Sequence, residues 1–170
     1  MKAVKALPVV TSIAVVMSLG ISVCWAQQKT GDSAKQIIGT WTMVSNNITH
    51  PDGKKTQPFG PNPVGMIIFD SGGHYSLQLC RPSRAKFASN NREKGTPEEN
   101  QATVSGCNPH WGKYSVEGNA IVFKIEHAMF PNWEGIEQKR NFTIVGNELK
   151  YTVPAASAGG VGEVVWRRGQ

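Results

Sequence analysis

The stretch that decides the fold is IIGTWTMVS, Ile37 to Ser45, in which Trp41 follows Gly39 by two positions. From Gly39 onward, apolar and polar residues alternate with a period of two, which is typical of a β-strand with one buried face. A tryptophan at the start of such a strand places the largest apolar side chain at the end of the future core. The stretch therefore predicts a β-protein in which Trp41 has a packing role.

The same alternation continues along the chain and predicts eight strands, at roughly 39–46, 64–69, 73–80, 111–117, 120–128, 135–145, 147–153 and 161–168. Turns rich in glycine, asparagine and aspartate separate them. An open sheet of this size would leave two long unpaired edges, so the strands must close into a barrel or pack as a sandwich. Short hairpins between successive strands favour an eight-stranded, up-and-down antiparallel barrel.

The one long connection, residues 81–110, contains a helix signal. Thr96, Pro97 and Glu99 form a capping box with proline at the first helical position, which predicts a short helix over about 97–105. Cys80 and Cys107 flank this connection. A disulfide between them and two unpaired thiols are equally open, because a bond requires Cα atoms within about 7 Å of each other.

The first 26 residues are set apart from the domain. Lys2 and Lys5 precede an uncharged run from Val9 to Ala26, the layout of a signal peptide cleaved after Ala26. Residues 27–36 form a polar leader, and residues 37–170 form one domain. The alternatives are an uncleaved membrane anchor, since a span needs about 20 apolar residues, and lipidation at Cys24. We expect an exported protein, periplasmic or secreted, without a stable membrane span after cleavage.

Charge and motifs exclude several function classes. Loss of the signal peptide removes two lysines and no acidic residue, so the formal net charge falls from +6 to +4. The basic residues are dispersed, which argues against a nucleic-acid partner. No nucleophile elbow, phosphate-binding glycine loop or dinucleotide fingerprint is present, and the four histidines lack metal-ligand spacing. We expect no cofactor, no metal site and no catalytic residues.

Gly39-Thr40-Trp41 resembles the Gly-x-Trp signature on the first strand of the lipocalins. Similarity to the bacterial lipocalin-like domain family extends from about Ile38 to Arg168, through Pro58-Phe59-Gly60, Gly72 to Ser76, Gly112 with Tyr114, Pro131-Asn132-Trp133 and Arg140. The chain lacks the Thr-Asp-Tyr motif and the long C-terminal helix of secreted lipocalins. The resemblance implies an eight-stranded lipocalin-like barrel with a small-molecule cavity and no established catalytic residues.

The resemblance also implies that a basic residue of the last strand covers the signature tryptophan at the closed end of the barrel. The sequence offers Arg167 or Arg168 for a cation–π contact with Trp41, and we take Arg167, with Gly39 and Trp41, as the structural signature. The residues that determine function are then expected at the opposite, open end.

Alternate residues of a strand share one face, so the apolar faces predict the barrel interior. Four rows qualify: Tyr75, Leu77 and Leu79; Ile121, Phe123, Ile125 and His127; Ile136, Gln138, Arg140, Phe142 and Ile144; and Leu149, Tyr151 and Val153. An apolar cavity with a few polar groups is the composition of a small-molecule site. A loop with Met129, Phe130 and Trp133 is expected at its rim. The candidate ligand-binding residues are Tyr75, Phe123, His127, Trp133, Arg140 and Tyr151.

Three functions fit this interior. The leading hypothesis is a non-catalytic protein that binds a small apolar or amphipathic molecule. The second is an isomerase or hydratase in which His127 is the general base and Arg140 or Tyr75 polarises the substrate. The third is a structural envelope protein whose barrel is filled by its own side chains. For the two charged candidates we favour structural roles, with Arg140 paired to a cross-strand glutamate and His127 half-buried.

Overall fold

A computed structural model describes residues 33–169 of the chain. The predicted signal peptide and most of the leader lie outside the described residues. Residues 33–37 are helical. Within this part of the chain the strands are β1 Gly39–Thr49, β2 Lys55–Thr56, β3 Val64–Phe69, β4 His74–Cys80, β5 His110–Glu117, β6 Ala120–Ala128, β7 Glu137–Val145, β8 Glu148–Val153 and β9 Val161–Arg168.

The strands form one closed antiparallel barrel. From β3 to β9 each strand pairs with the next, β1 pairs with β3, and β9 pairs back with β1 from Trp41↔Arg168 to Thr49↔Val161. The two-residue β2 pairs with the end of β1, beyond the residues of β1 that pair with β3. The predicted eight-stranded, up-and-down lipocalin-like barrel is therefore confirmed. Closure removes the two unpaired edges that an open sheet would expose.

The predicted helix is α1, Pro97–Gly106, in the connection between β4 and β5. The Thr96 hydroxyl accepts a hydrogen bond from the Glu99 amide at 3.2 Å, and the Glu99 carboxylate accepts one from the Thr96 amide at 2.9 Å. Among the residues of α1, Gly106 is the only buried one. The helix therefore begins because of its cap, and it contributes little side-chain packing to the barrel.

The sequence leaves open whether Cys80 and Cys107 form a disulfide, and the structure shows that they do. Cys80 and Cys107 are bonded, with Cα atoms 4.0 Å apart across 27 residues of sequence. The bond joins the last residue of β4 to the residue that follows α1. It anchors the C-terminal end of a helix that has few other contacts with the barrel wall.

Trp41 lies fully buried at one end of the barrel, where its indole Nε1 donates to the Ile37 carbonyl at 2.8 Å. The guanidinium carbon of Arg168 lies 4.1 Å from the centroid of the Trp41 ring. The choice of Arg167 for this contact is wrong. Trp166 is buried, so alternation along β9 turns Arg168 to the inner face and Arg167 to solvent. This end of the barrel is closed by the tryptophan, the arginine and the helical residues 33–37.

The interior follows most of the predicted rows. The buried members are Tyr75, Leu77, Leu79, Ile121, Phe123, Ile125, Arg140, Phe142, Leu149 and Tyr151. Ile136 is an exception, because β7 begins only at Glu137 and the Ile136 side chain is 42 % exposed. His127 is a second exception, because β6 contains an extra residue before it.

Candidate functional site

A cavity of about 260 Å³ lies at the end of the barrel opposite Trp41. Its walls come from the inner faces of β1, β4, β5, β7, β8 and β9, and its mouth from the loops between strands. Small-molecule pockets usually measure about 300–1,000 Å³, so this one suits a small ligand. The mouth is formed by Pro58, Phe59, Val104, Ser105, Met129, Phe130, Trp133 and Ala155 to Ala158.

Arg140 is the central polar group of the cavity. Its side chain is 5 % exposed and lines the cavity together with Gln138 and Tyr151. One terminal nitrogen donates to the Gln138 side-chain oxygen at 2.5 Å and the other donates to the Tyr151 hydroxyl at 3.2 Å. Its Nε is buried and has no hydrogen-bond partner among the described residues.

Aromatic rings supply the remaining contacts of this guanidinium. The guanidinium carbon lies 4.6 Å from the Phe123 ring centroid and 5.2 Å from that of Tyr151. The predicted cross-strand glutamate is wrong, because no carboxylate oxygen of residues 33–169 lies within 4.0 Å of Arg140. Its strand neighbour Lys139 makes such a pair instead, with Glu117 at 2.8 Å on the outer surface.

The ionisable groups around Arg140 are neutral near pH 7. Burial raises the pKa of both Tyr151 and Tyr75, and the nearby Arg140 charge only partly opposes this. Burial, reinforced by the Arg140 charge, lowers the pKa of His110 to about 3. These two phenols and the imidazole therefore provide no negative charge to balance the arginine.

His110 is the main polar residue of the interior that the sequence did not predict. It is 2 % exposed, lines the cavity, and shares a 2.8 Å hydrogen bond between its Nδ1 and the Tyr75 hydroxyl. The predicted fourth strand began at residue 111, one position too late. Gly112, Tyr114 and Val116 share one face of the strand. The same alternation, continued back by two residues, places His110 on the inner face.

A β-bulge explains why His127 is not in the cavity. Gly112 pairs with Ile125 while the preceding residue of β5 pairs with His127, so Glu126 is an extra residue in β6. The extra residue reverses the alternation of all positions after it. The His127 side chain is 63 % exposed on the outer surface, with its Nδ1 3.5 Å from a Glu134 carboxylate oxygen. The predicted placement of His127 on the inner face and its predicted half-burial are therefore wrong.

The other candidate residues divide between the cavity wall and the core below it. Trp133, Arg140 and Tyr151 line the cavity. Tyr75 and Phe123 are buried beneath it, with ring centroids 4.8 Å apart in an edge-to-face arrangement. Both support polar groups of the cavity. Tyr75 shares a hydrogen bond with His110, and the Phe123 ring contacts the Arg140 guanidinium.

Aromatic residues from the loop between β6 and β7 cover part of the mouth. Trp133 ends a single 3₁₀ turn, Pro131–Trp133, and its ring lies 5.7 Å from the His110 ring and 5.6 Å from the Phe130 ring. The loop is held to β6 by the Glu134 carboxylate, which accepts from the Ala128 amide at 3.2 Å. Trp133 thus contacts both the exposed Phe130 at the rim and the buried His110 inside the barrel.

Residues 33–169 contain neither a membrane-spanning helix nor a cluster of metal ligands. No helix there is long and apolar enough to span a bilayer. No three histidine, cysteine, aspartate or glutamate side chains of this region converge as metal ligands.

The sequence model of the lipocalin-like domain family matches residues 38–169. A crystal structure of a lipocalin-like protein from Bacteroides uniformis is similar over 78 % of this chain and 98 % of that chain, with a TM-score of 0.43 and 12 % identity. An asparagine-to-glutamine mutant of the fluorescent protein UnaG is similar over 79 % and 96 % of the two chains, with a TM-score of 0.37 and 14 % identity. No curated protein matches the sequence significantly.

Proposed function

Because the chain belongs to the lipocalin-like domain family, we propose that it is an exported protein that binds a small apolar or amphipathic molecule in its barrel. The observation that carries the proposal is the cavity of about 260 Å³, which opens at the end of the barrel opposite Trp41. Its walls are mainly apolar, and Gln138, Arg140 and Tyr151 converge in it. This combination is typical of small-molecule sites.

The cavity also separates this proposal from the other two functions. A barrel filled by its own side chains would not leave such a space beneath Phe59 and Trp133. An enzyme with His127 as its base has no support, because that side chain is on the outer surface. A general base must reach the proton that it removes, within about 3 Å or through one water.

Export is supported by two features of the chain. Lys2 and Lys5 followed by the apolar run to Ala26 have the layout of a cleavable signal. The bonded Cys80–Cys107 pair suits an oxidising compartment such as the periplasm or the extracellular space. The test is to express the full chain in bacteria, fractionate the cells and determine the mass of the product. A chain that begins at Gln27 in the periplasm or medium supports export. An intact or lipidated chain in the membrane fraction overturns it.

Binding is tested with the mature protein and four probes: decanoate, 1-decanol, 2-naphthoate and 2-naphthalenemethanol. Trp133 lines the cavity, whereas Trp41 and Trp166 are fully buried. We therefore expect a bound probe to change the emission of Trp133, and a Trp133→Phe variant to lose that change. Calorimetry then measures the affinity independently of fluorescence, and native mass spectrometry of the freshly purified protein shows any molecule that copurifies.

An occluding variant provides the matched control. Leu79 lies in the cavity wall, whereas its neighbour Gln78 faces outward on the same strand. Leu79→Trp should weaken binding of each probe by about tenfold or more, because its added volume occupies the cavity. Gln78→Trp should bind as the wild type does. Equal binding by both variants, or no binding of any probe by the wild type, would contradict the proposal.

A further inference from the structure

Arg140 is a positive charge in the cavity wall whose hydrogen-bond and ring contacts are all with uncharged groups. A buried charge is costly unless an opposite charge and good hydrogen bonds compensate it. Arg140 is 5 % exposed, and no carboxylate oxygen of the described residues lies within 4.0 Å of it. Its partners Gln138 and Tyr151 are neutral, and its buried Nε has no partner among residues 33–169.

The surroundings do not correct this imbalance. Tyr75, His110 and Tyr151 are the nearest ionisable groups of the interior, and burial keeps each of them uncharged. Glu126 lies at the bulge of β6 and makes no ion pair with the guanidinium. Glu126 acts electrostatically on Tyr75, but no carboxylate of the described residues lies at ion-pair distance from the positive charge in the cavity wall.

The geometry also provides a second donor beside the charge. The Tyr151 hydroxyl oxygen accepts from Arg140 at 3.2 Å, which leaves the hydroxyl hydrogen for another acceptor. A guanidinium and a neutral hydroxyl together match the acceptor oxygens of a carboxylate. Much of the remaining cavity lining is apolar and includes Phe59, Leu77 and Trp133.

We propose that the molecule bound in this cavity is a monocarboxylate amphiphile, whose carboxylate accepts hydrogen bonds from Arg140 and Tyr151 and whose apolar part extends towards Trp133. This inference rests on the proposed binding function and names the class of its ligand. The carboxylate supplies the charge that the barrel lacks, and the apolar part replaces water along the wall. An aliphatic tail and a fused aromatic ring present the same head group and differ only in shape.

The test compares each carboxylate probe with its uncharged counterpart by calorimetry at pH 7.5: decanoate with 1-decanol, and 2-naphthoate with 2-naphthalenemethanol. The wild type should bind at least one carboxylate about tenfold or more tightly than the matching alcohol. The preferred pair shows whether the apolar part is a chain or a ring. Equal affinity for acid and alcohol in both pairs overturns the head-group inference and leaves the binding function standing. No binding of any probe overturns the binding function itself.

Variants assign the preference to the guanidinium. Arg140→Met should lose about tenfold or more in carboxylate affinity and keep its affinity for the alcohols. Arg140→Lys keeps the charge but not the planar fork, so it should retain part of the preference. The matched control is Lys139→Met, which removes a cation from the adjacent, outward-facing position. If Arg140→Met and Lys139→Met reduce carboxylate affinity equally, the effect is one of net charge and the inference fails. If Arg140→Met does not fold, Tyr151→Phe provides the test instead. It keeps the guanidinium and removes the hydroxyl donor, so it should bind the carboxylates more weakly than the wild type does.

Discussion

The Arg168 guanidinium lies over the Trp41 ring, with its central carbon 4.1 Å from the ring centroid. The same guanidinium donates to the carbonyl of Ile38 at 2.9 Å and to that of Gln36. It thereby joins the last strand to the first strand and to the end of the helical residues 33–37. One side chain thus satisfies carbonyls at a helix end while it covers the largest residue of the core.

This arrangement predicts unequal effects for two adjacent arginines. Arg168→Gln should lower the free energy of unfolding by about 1–3 kcal/mol, because it removes the cation–π contact and hydrogen bonds to two carbonyls. Arg167→Gln changes an outward-facing side chain and should stay within about 0.5 kcal/mol of the wild type. Urea unfolding of the mature protein measures both. Equal destabilisation by the two variants would assign the effect to net charge.

Gly112 should be intolerant of any side chain because of the bulge in β6. A Cβ atom at this position would lie 2.2 Å from the Lys124 carbonyl oxygen and 2.7 Å from the Glu126 amide nitrogen. Both are backbone atoms that a side-chain rotation cannot move. Gly112→Ala should therefore destabilise the protein by about 1–3 kcal/mol.

The control for this glycine is Ser115→Ala, an exposed position on the same strand, which should change the stability by less than about 0.5 kcal/mol. Thermal unfolding followed by circular dichroism compares the two variants. A Gly112→Ala protein as stable as the Ser115→Ala protein would show that the bulge rearranges at no cost.

His110 should make the protein sensitive to acid. Its pKa is about 3 in the folded state, against an ordinary value of 6.5, because burial and the Arg140 charge disfavour the imidazolium. The unfolded chain therefore binds this proton first as the pH falls. The contribution of the neutral imidazole to stability is fully present above about pH 6.5 and declines towards pH 3, by at most about 1.4 kcal/mol per pH unit.

Urea unfolding at several pH values between 7 and 4 measures this slope. His110→Asn retains a polar group that can bond to the Tyr75 hydroxyl, and it should give a shallower slope than the wild type. A wild-type slope in the His110→Asn protein would assign the acid sensitivity to other groups.

The Cys80–Cys107 bond should stabilise the fold and order the connection that it closes. The double variant Cys80→Ser, Cys107→Ser should lose about 2–4 kcal/mol of unfolding free energy, because the unfolded chain is no longer constrained. Hydrogen exchange should increase in α1, since few of its residues are buried. Reductant should destabilise the wild type and leave the double variant unaffected. Equal exchange in α1 with and without the bond would contradict the anchoring role.

Periodicity was sufficient for the barrel but not for every side chain in it. The rows that contain Leu77, Phe123 and Tyr151 are buried where the alternation placed them. The rule failed after Ile125, where Glu126 inserts one extra residue, so that His127 points outward. Periodicity also missed His110, because the predicted strand begins at residue 111 and β5 begins at His110. This histidine is the hydrogen-bond partner of Tyr75.

By itself, the sequence determined the eight strands, their order, the cap of α1 and the family, since these depend on local alternation, turn residues and short motifs. The tertiary structure alone decided which histidine enters the cavity, that Arg168 rather than Arg167 covers Trp41, that the two cysteines meet, and that Arg140 has no carboxylate partner. A bulge is a property of two strands in register, and a missing counter-charge is a property of everything that surrounds a buried group. Neither is encoded in the spacing of residues along one strand.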